Sequence, residues 1–202
     1  MQAMELRTTR YQDNRERILS IGQSLILGRG FSAMGLSELL GAAEIPKGSF
    51  YHYFQSKEGF GVALLQRYFE NYHARLRDLF DHDAGPGRAR LLTYFDSWRQ
   101  LHASSQCHDT CLAVKLAAEV SDLSEPMREA LAIGMDGVIG LIAGAILAGQ
   151  QEGSVQTSHS PEQLAESLYA MWLGASLRSK VTRNMDALDI AYRQTEWILG
   201  GP

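Results

Sequence analysis

Apolar residues recur three and four positions apart along almost the whole chain, and that period suits helices. No stretch sustains the alternation of a half-buried strand. Ile18, Ile21, Gly22 and Leu25 share one helical face, and Gly28 and Gly30 end that helix. A short helix follows from Ser37, with Leu36, Leu39 and Leu40 turned inward, and stops before Pro46. Another runs from Pro46 to Phe54. Ser56 then caps a long helix, with Glu58 in its first turn and Phe60, Leu64, Tyr68, Tyr72, Leu76 and Leu79 or Phe80 along a stripe. Asp81 to Gly87 reads as a break, and further helices are predicted at 88–104, 111–121, 125–152, 161–183 and 186–199. Ser124 ahead of Pro126, and Ser160 ahead of Pro161, mark two of those starts. The predicted fold class is therefore all-α, with about nine helices.

Composition narrows the class. Of 202 residues 45% are hydrophobic, 21% are charged and 5 are Pro, which suits a packed core and not a disordered chain. Two cysteines do not make a disulfide-stapled secreted scaffold and fit a reducing compartment. The opening MQAMELRTTR has no apolar signal core. The longest apolar run, Gly137 to Gly149, rises about 20 Å as helix, short of the ~30 Å of a bilayer. These features predict a cytoplasmic protein with no membrane partner. The net charge of −4 divides into +1 over residues 1–60 and −5 over the rest, so total charge says little about nucleic acid.

Residues 36–54 say more. Two short helices joined by the tight turn Ala43-Glu-Ile-Pro-Lys-Gly-Ser49 match the needs of a helix-turn-helix. Its second helix offers its N-terminal residues to a major groove. Here these are Lys47, Gly48 and Ser49: a cation, a residue with no side chain, and a small hydroxyl. Gly48 lets backbone approach DNA, and Lys47 reaches guanine O6/N7 or a phosphate. Phe50 and Phe54 face inward together, while Tyr51, His52 and Tyr53 offer donors to phosphates. Lys57 starts the long helix, where its ammonium and the helix amides suit one phosphate. An aromatic turn that merely packs two helices is the plainer alternative for Phe50–Phe54.

The string EIPKGSFYHYFQSKEGF, in register behind MGLSELLGAAE, resembles the DNA-binding signature of the TetR family of repressors, "GVSKGTLYHYFPSKEAL". The likeness covers roughly residues 12–68, with Pro46 where Ser is common and Phe50 where Leu is common. It implies base-proximal roles for Lys47, Gly48 and Ser49. It also implies phosphate contacts from Tyr51, Tyr53, Lys57 and, at the preceding helix, Ser37. The organisation it implies is a three-helix DNA-binding domain over 1–55 and a regulatory and dimerisation domain over 56–202. Arg7 and Arg10 are a further candidate, as a flexible arm on the minor groove.

One helix-turn-helix reads few base pairs, so a homodimer on a palindromic, double-stranded operator is expected. The last two helices are the candidates for pairing. Leu164, Leu168, Met171, Trp172, Ala175 and Leu177 spread round the first, and Leu188, Ile190, Ala191, Tyr192, Trp197 and Ile198 round the second. In TetR-like proteins these helices form a four-helix bundle across the dimer axis. Gly134, Gly137, Gly140 and Gly144 share a face that suits either close packing or a cavity lining.

Both cysteines lie in His102-Ala-Ser-Ser-Gln-Cys107-His108-Asp-Thr-Cys111. A zinc site from His102, Cys107, His108 and Cys111, a Cys107–Cys111 disulfide, and thiols without a role all remain open. A fourth reading is a reactive thiol, since Thr110 is a fair N-cap and a helix N-terminus stabilises a thiolate at Cys111. Lys180, one of four lysines, lies in the apolar LGASLRSKVTR segment. The segments TCLAVKLAAEVSDLSEPMR and LYAMWLGASLRSK resemble those of TetR-family repressors that sense N-ethylmaleimide and other electrophiles. That resemblance implies Cys111 as the sensing thiol and a functional role for Lys180; Cys107 lies outside the shared motif.

The reading is thus a repressor, not an enzyme and without cofactor or metal, released from DNA by a reactive electrophile or oxidant. One alternative is induction by a non-covalent apolar ligand. Another is a thiol redox enzyme, although no Cys-x-x-Cys motif is present.

Overall fold

The computed structural model describes residues 2–82, 85–103 and 112–200. Among them stand nine helices and no strand. They are α1 (Gln2–Arg29), α2 (Leu36–Ala42), α3 (Lys47–Phe54), α4 (Lys57–His82), α5 (Gly87–Ala103), α6 (Leu112–Val120), α7 (Glu125–Gln151), α8 (Pro161–Thr182) and α9 (Asp186–Ile198). Two compact units divide the chain, Met1–Tyr68 with Lys115–Leu131, and Phe69–Val114 with Ala132–Pro202. Helices α4, α6 and α7 contribute residues to both.

In the first unit α1 buries Ile18, Leu19 and Ile26 completely, whereas Ile21 and Leu25 are half-buried. The apolar stripe is wider than its periodicity suggests because α1 packs on α2 and also receives Phe60 of α4. At Gly22 an added Cβ would lie 2.2 Å from Cζ of Phe60, so only glycine admits that ring. The backbone is helical from Gln2, so Arg7 and Arg10 belong to the first turns of α1 and not to an extended arm. No proline or glycine interrupts residues 2–21 to free such an arm. Gly30, at φ +92, ends α1 and returns its N–H to the Ile26 carbonyl at 2.8 Å.

The second unit is built round Trp172 of α8. Its ring stacks on Phe95 with centroids 5.1 Å apart and meets Trp98 edge-on at 5.9 Å. Its Nε1 donates to Thr195 Oγ1 on α9 at 2.9 Å, and that hydroxyl donates to the Ala191 carbonyl at 2.8 Å. A second polar group sits among aromatic rings. Trp98 Nε1 donates to the Tyr72 hydroxyl at 3.0 Å, which lies 2.9 Å from the Tyr94 hydroxyl. Burial, and then the neighbouring Tyr72, push the Tyr94 phenol well above its ordinary range. Ser160 caps α8 ahead of Pro161, as its sequence predicts.

Helix α7 resolves the glycine question for two positions. At Gly134 a Cβ would meet the Phe69 ring at 2.1 Å, and at Gly137 the His73 ring at 2.5 Å. His73 Nε2 also lies 2.9 Å from the Gly134 carbonyl oxygen. This part of the face is close packing, while Gly140 and Gly144 have nothing within 4 Å of a would-be Cβ. The 13-residue apolar run proves to be part of a 27-residue helix, long and apolar enough to cross a membrane by length and composition. Val138, Ile142 and Ile146 of that helix are nevertheless completely buried in protein.

Candidate nucleic-acid interface and sensor segment

The helix-turn-helix turns on Glu44, a non-glycine residue held at φ +50. Its N–H reaches the Gly41 carbonyl at 3.2 Å, and Ile45 N–H reaches Leu40 O at 3.1 Å. Pro46 then stands as N-cap of α3, its carbonyl accepting from Ser49 N–H at 2.9 Å. Phe50 and Phe54 are buried and pack on Phe60 at 5.8 and 5.2 Å between ring centroids.

With those two rings inside, helical geometry turns the opposite face out. Lys47, Gly48, Tyr51 and His52 are exposed together, and Ser49 and Tyr53 are half-buried. Nothing lies within 4 Å of a Cβ built on Gly48, so protein packing does not require glycine there. Lys47 Nζ stands 5.9 Å from the Tyr51 ring centroid. Ser37 is exposed in the first turn of α2, whose N-cap is Gly35. Lys57 is half-buried, since its ammonium turns to the α1–α2 turn. There Nζ donates to the Ser32 carbonyl at 3.4 Å and lies 4.8 Å from the Phe31 ring centroid. Partial burial lowers the Lys57 pKa, and the nearby Glu119 carboxylate opposes that shift. Ser56 Oγ accepts from Gly59 N–H at 2.9 Å and so caps α4.

Two side chains packed on α3 were not read from the sequence. Tyr11 of α1 sits beside the C-terminal half of α3, against Tyr53 and His52. Arg15, one turn further, has Cζ 5.6 Å from the Phe54 ring centroid. A signal existed: Tyr11 falls seven residues before the buried Ile18, on the same side of α1.

Cys107 and Cys111 lie outside the described residues, so the zinc and disulfide alternatives rest on side chains not described. Among the described residues no cluster of three or more His, Cys, Asp or Glu is arranged to hold a metal. Helix α6 starts at Leu112, the residue after Cys111. Lys180 is exposed in the last turn of α8. Helices α8 and α9 pack together and still leave large apolar side chains exposed. Leu177 and Val181 are 55% and 75% exposed, and Ile190 and Trp197 are 53% and 69%.

Residues 18–71 match the family model of the bacterial regulatory proteins of the tetR family, and residues 87–195 match the tetracyclin repressor-like C-terminal domain. The chain belongs to the TetR family. It is 45% identical to the HTH-type transcriptional repressor NemR of Escherichia coli (strain K12), over 94% of this chain and 96% of that protein. It is 33% identical to the HTH-type transcriptional repressor DhaR of Mycobacterium sp. (strain GP1), over 87% of this chain and 86% of that one. The crystal structure of E. coli NemR in its reduced form superposes with a TM-score of 0.90 at 47% identity, covering 94% of this chain and 98% of that one. This TetR-family member is thus a transcriptional repressor similar to NemR, and its relatives are regulators, not enzymes.

Proposed function

We propose that this TetR-family repressor binds a palindromic operator as a homodimer in the cytoplasm and lets go when a reactive electrophile or oxidant modifies Cys111. The observation that carries DNA binding is the exposed set Lys47, Gly48, Tyr51 and His52 over a buried Phe50–Phe54 floor. In this reading Lys47, Gly48 and Ser49 lie nearest the bases. Ser37, Tyr51, His52, Tyr53 and Lys57 hold phosphates. The exposed Leu177, Val181, Ile190 and Trp197 support pairing through α8 and α9, which sets two recognition helices about one helical turn, ~34–36 Å, apart.

The sensing step rests on the position of Cys111 directly ahead of α6, where helix amides favour a thiolate, and on likeness to a repressor of which a reduced form has been solved. With a maleimide, Sγ adds to the carbon–carbon double bond. The S–C bond forms, the π bond breaks, and the carbon next to the carbonyl takes a proton from solvent. A chlorine oxidant instead takes two electrons from the same thiolate and is itself reduced. Lys180 is the candidate cation for the modified or ionised sulfur, and Cys107 is a secondary thiol. Release follows when the modified state binds operator more weakly, commonly by about 1–3 kcal/mol of coupling.

The deciding experiment measures operator affinity before and after N-ethylmaleimide for the wild type and for Cys111→Ser. Release of the wild type with none of the variant is expected. Equal release of both would refute the sensor role. Absence of binding to any duplex at low salt would refute the repressor reading itself.

A further inference from the structure

Helix α6 grips the turn that joins α1 to α2. Glu119 Oε2 accepts from Phe31 N–H at 3.1 Å, and its Oε1 accepts from Ser32 N–H at 2.6 Å. Gly30 makes room for this carboxylate, because a Cβ there would come 2.8 Å from Oε2. One turn earlier on α6, Lys115 Nζ donates to the Leu27 carbonyl in the last turn of α1. A single short helix thereby satisfies a terminal carbonyl of α1 and the two amides just past its end. From α4, Lys57 holds the Ser32 carbonyl, so the Ser32 residue is held at both N–H and C=O. Ser124 Oγ donates to Glu58 at 2.6 Å and ties the turn after α6 to the first turn of α4.

The grip is ionic. Partial burial pushes the Glu119 carboxyl upward, but the Ser32 and Phe31 N–H groups and the Lys115 ammonium outweigh it and hold the pKa below its ordinary value. The carboxylate therefore accepts both amides at neutral pH.

Resting on the reading of Cys111 as the sensor, we propose that Glu119 is the positioning residue through which the state of that thiol reaches the helix-turn-helix. In sequence Cys111 directly precedes Leu112, where α6 starts, and Glu119 lies seven positions further on, about 10 Å along that helix. An adduct that shifts the start of α6 carries the carboxylate with it, because a helix moves as a rigid rod. The α1–α2 turn then loses its two charge-assisted bonds. Helix α2, which leaves that turn at Leu36, loses the anchor that aims it and the α3 that follows.

Glu119→Gln is the informative variant. It keeps the size but offers one acceptor and one donor to two amides, so one bond is lost. Operator Kd is measured by fluorescence anisotropy before and after N-ethylmaleimide, with the Cys111 adduct quantified by mass spectrometry. In the wild type the ratio of the two Kd values is expected to be about fivefold or more. In Glu119→Gln it should fall to within about twofold of unity although Cys111 is fully alkylated. Lys115→Met, which removes the neighbouring grip, should lower the ratio in the same direction and serves if Glu119→Gln fails to fold. Amide exchange gives a readout that bulk stability would not move: alkylation of the wild type should speed exchange at Phe31 and Ser32. A wild-type ratio in a folded variant, or unchanged exchange at those two amides on release, overturns the proposal. Failure of the wild type to respond, or a response retained by Cys111→Ser, instead overturns the sensor reading and this inference with it.

Discussion

The ring of Tyr11 lies against that of Tyr53, centroids 4.6 Å apart, and meets His52 edge-on at 5.5 Å. An α1 residue thereby braces the outer half of the recognition helix. Aromatic pairs of this kind contribute about 0.5–1.5 kcal/mol. Tyr11→Ala should therefore weaken operator binding by about three- to tenfold, with Tyr11→Phe close to wild type. Anisotropy titration of both variants on one operator duplex tests this, and equal affinities for Ala and wild type would remove Tyr11 from the interface.

Lys47 and Lys57 should differ in kind. Lys47 projects from the exposed face of α3, so Lys47→Ala should change which base pairs are preferred. Lys57→Ala should weaken all operators about equally and flatten the slope of log K against log salt by about one unit. Its half-buried ammonium also holds Ser32, so a modest loss of thermal stability should accompany the binding loss. A salt titration against two operator variants separates the two lysines.

Two glycines make opposite predictions. Gly22→Ala forces a methyl into the Phe60 ring and should cost about 1–3 kcal/mol, read as a lower urea midpoint. Gly48→Ala meets open space, so folding should be unharmed while operator affinity falls. A Gly48→Ala protein that binds DNA as well as wild type would show that α3 backbone does not approach the duplex.

Glu44 occupies a left-handed turn that glycine adopts without strain. Glu44→Gly should raise stability by about 0.5–1 kcal/mol despite the freer unfolded chain. Chemical denaturation is sufficient to see it, and a drop in stability would mean that the Glu44 side chain contributes more than its backbone costs.

Val181 and Trp197 are the most exposed large apolar side chains on α8 and α9. Val181→Glu combined with Trp197→Arg should convert a dimer into a monomer in sedimentation and abolish cooperative operator binding while leaving helical content unchanged. An intact dimer would place the pairing surface elsewhere.

Much of this molecule was legible from its residues. Helix bounds followed from apolar period, caps and breakers: 125–152 and 161–183 were expected, and Glu125–Gln151 and Pro161–Thr182 are found. The register of Phe50 and Phe54 likewise pointed Lys47, Gly48, Ser49, Tyr51, His52 and Tyr53 outward, because a helix couples inside to outside through one local repeat; four of these are exposed, while Ser49 and Tyr53 are half-buried. Neither the bracing of Tyr53 by Tyr11 nor the choice of Leu19 and Ile26 over Ile21 and Leu25 was legible. Each depends on which other helix arrives. Glu119 was invisible for the same reason: its partners are backbone amides 87 and 88 residues away, and amides carry no sequence signature. The chain order settles local conformation through short-range sterics and hydrogen bonds. Only tertiary packing decides which distant groups share a surface, and in this repressor that decides where α6 holds the DNA-binding helices.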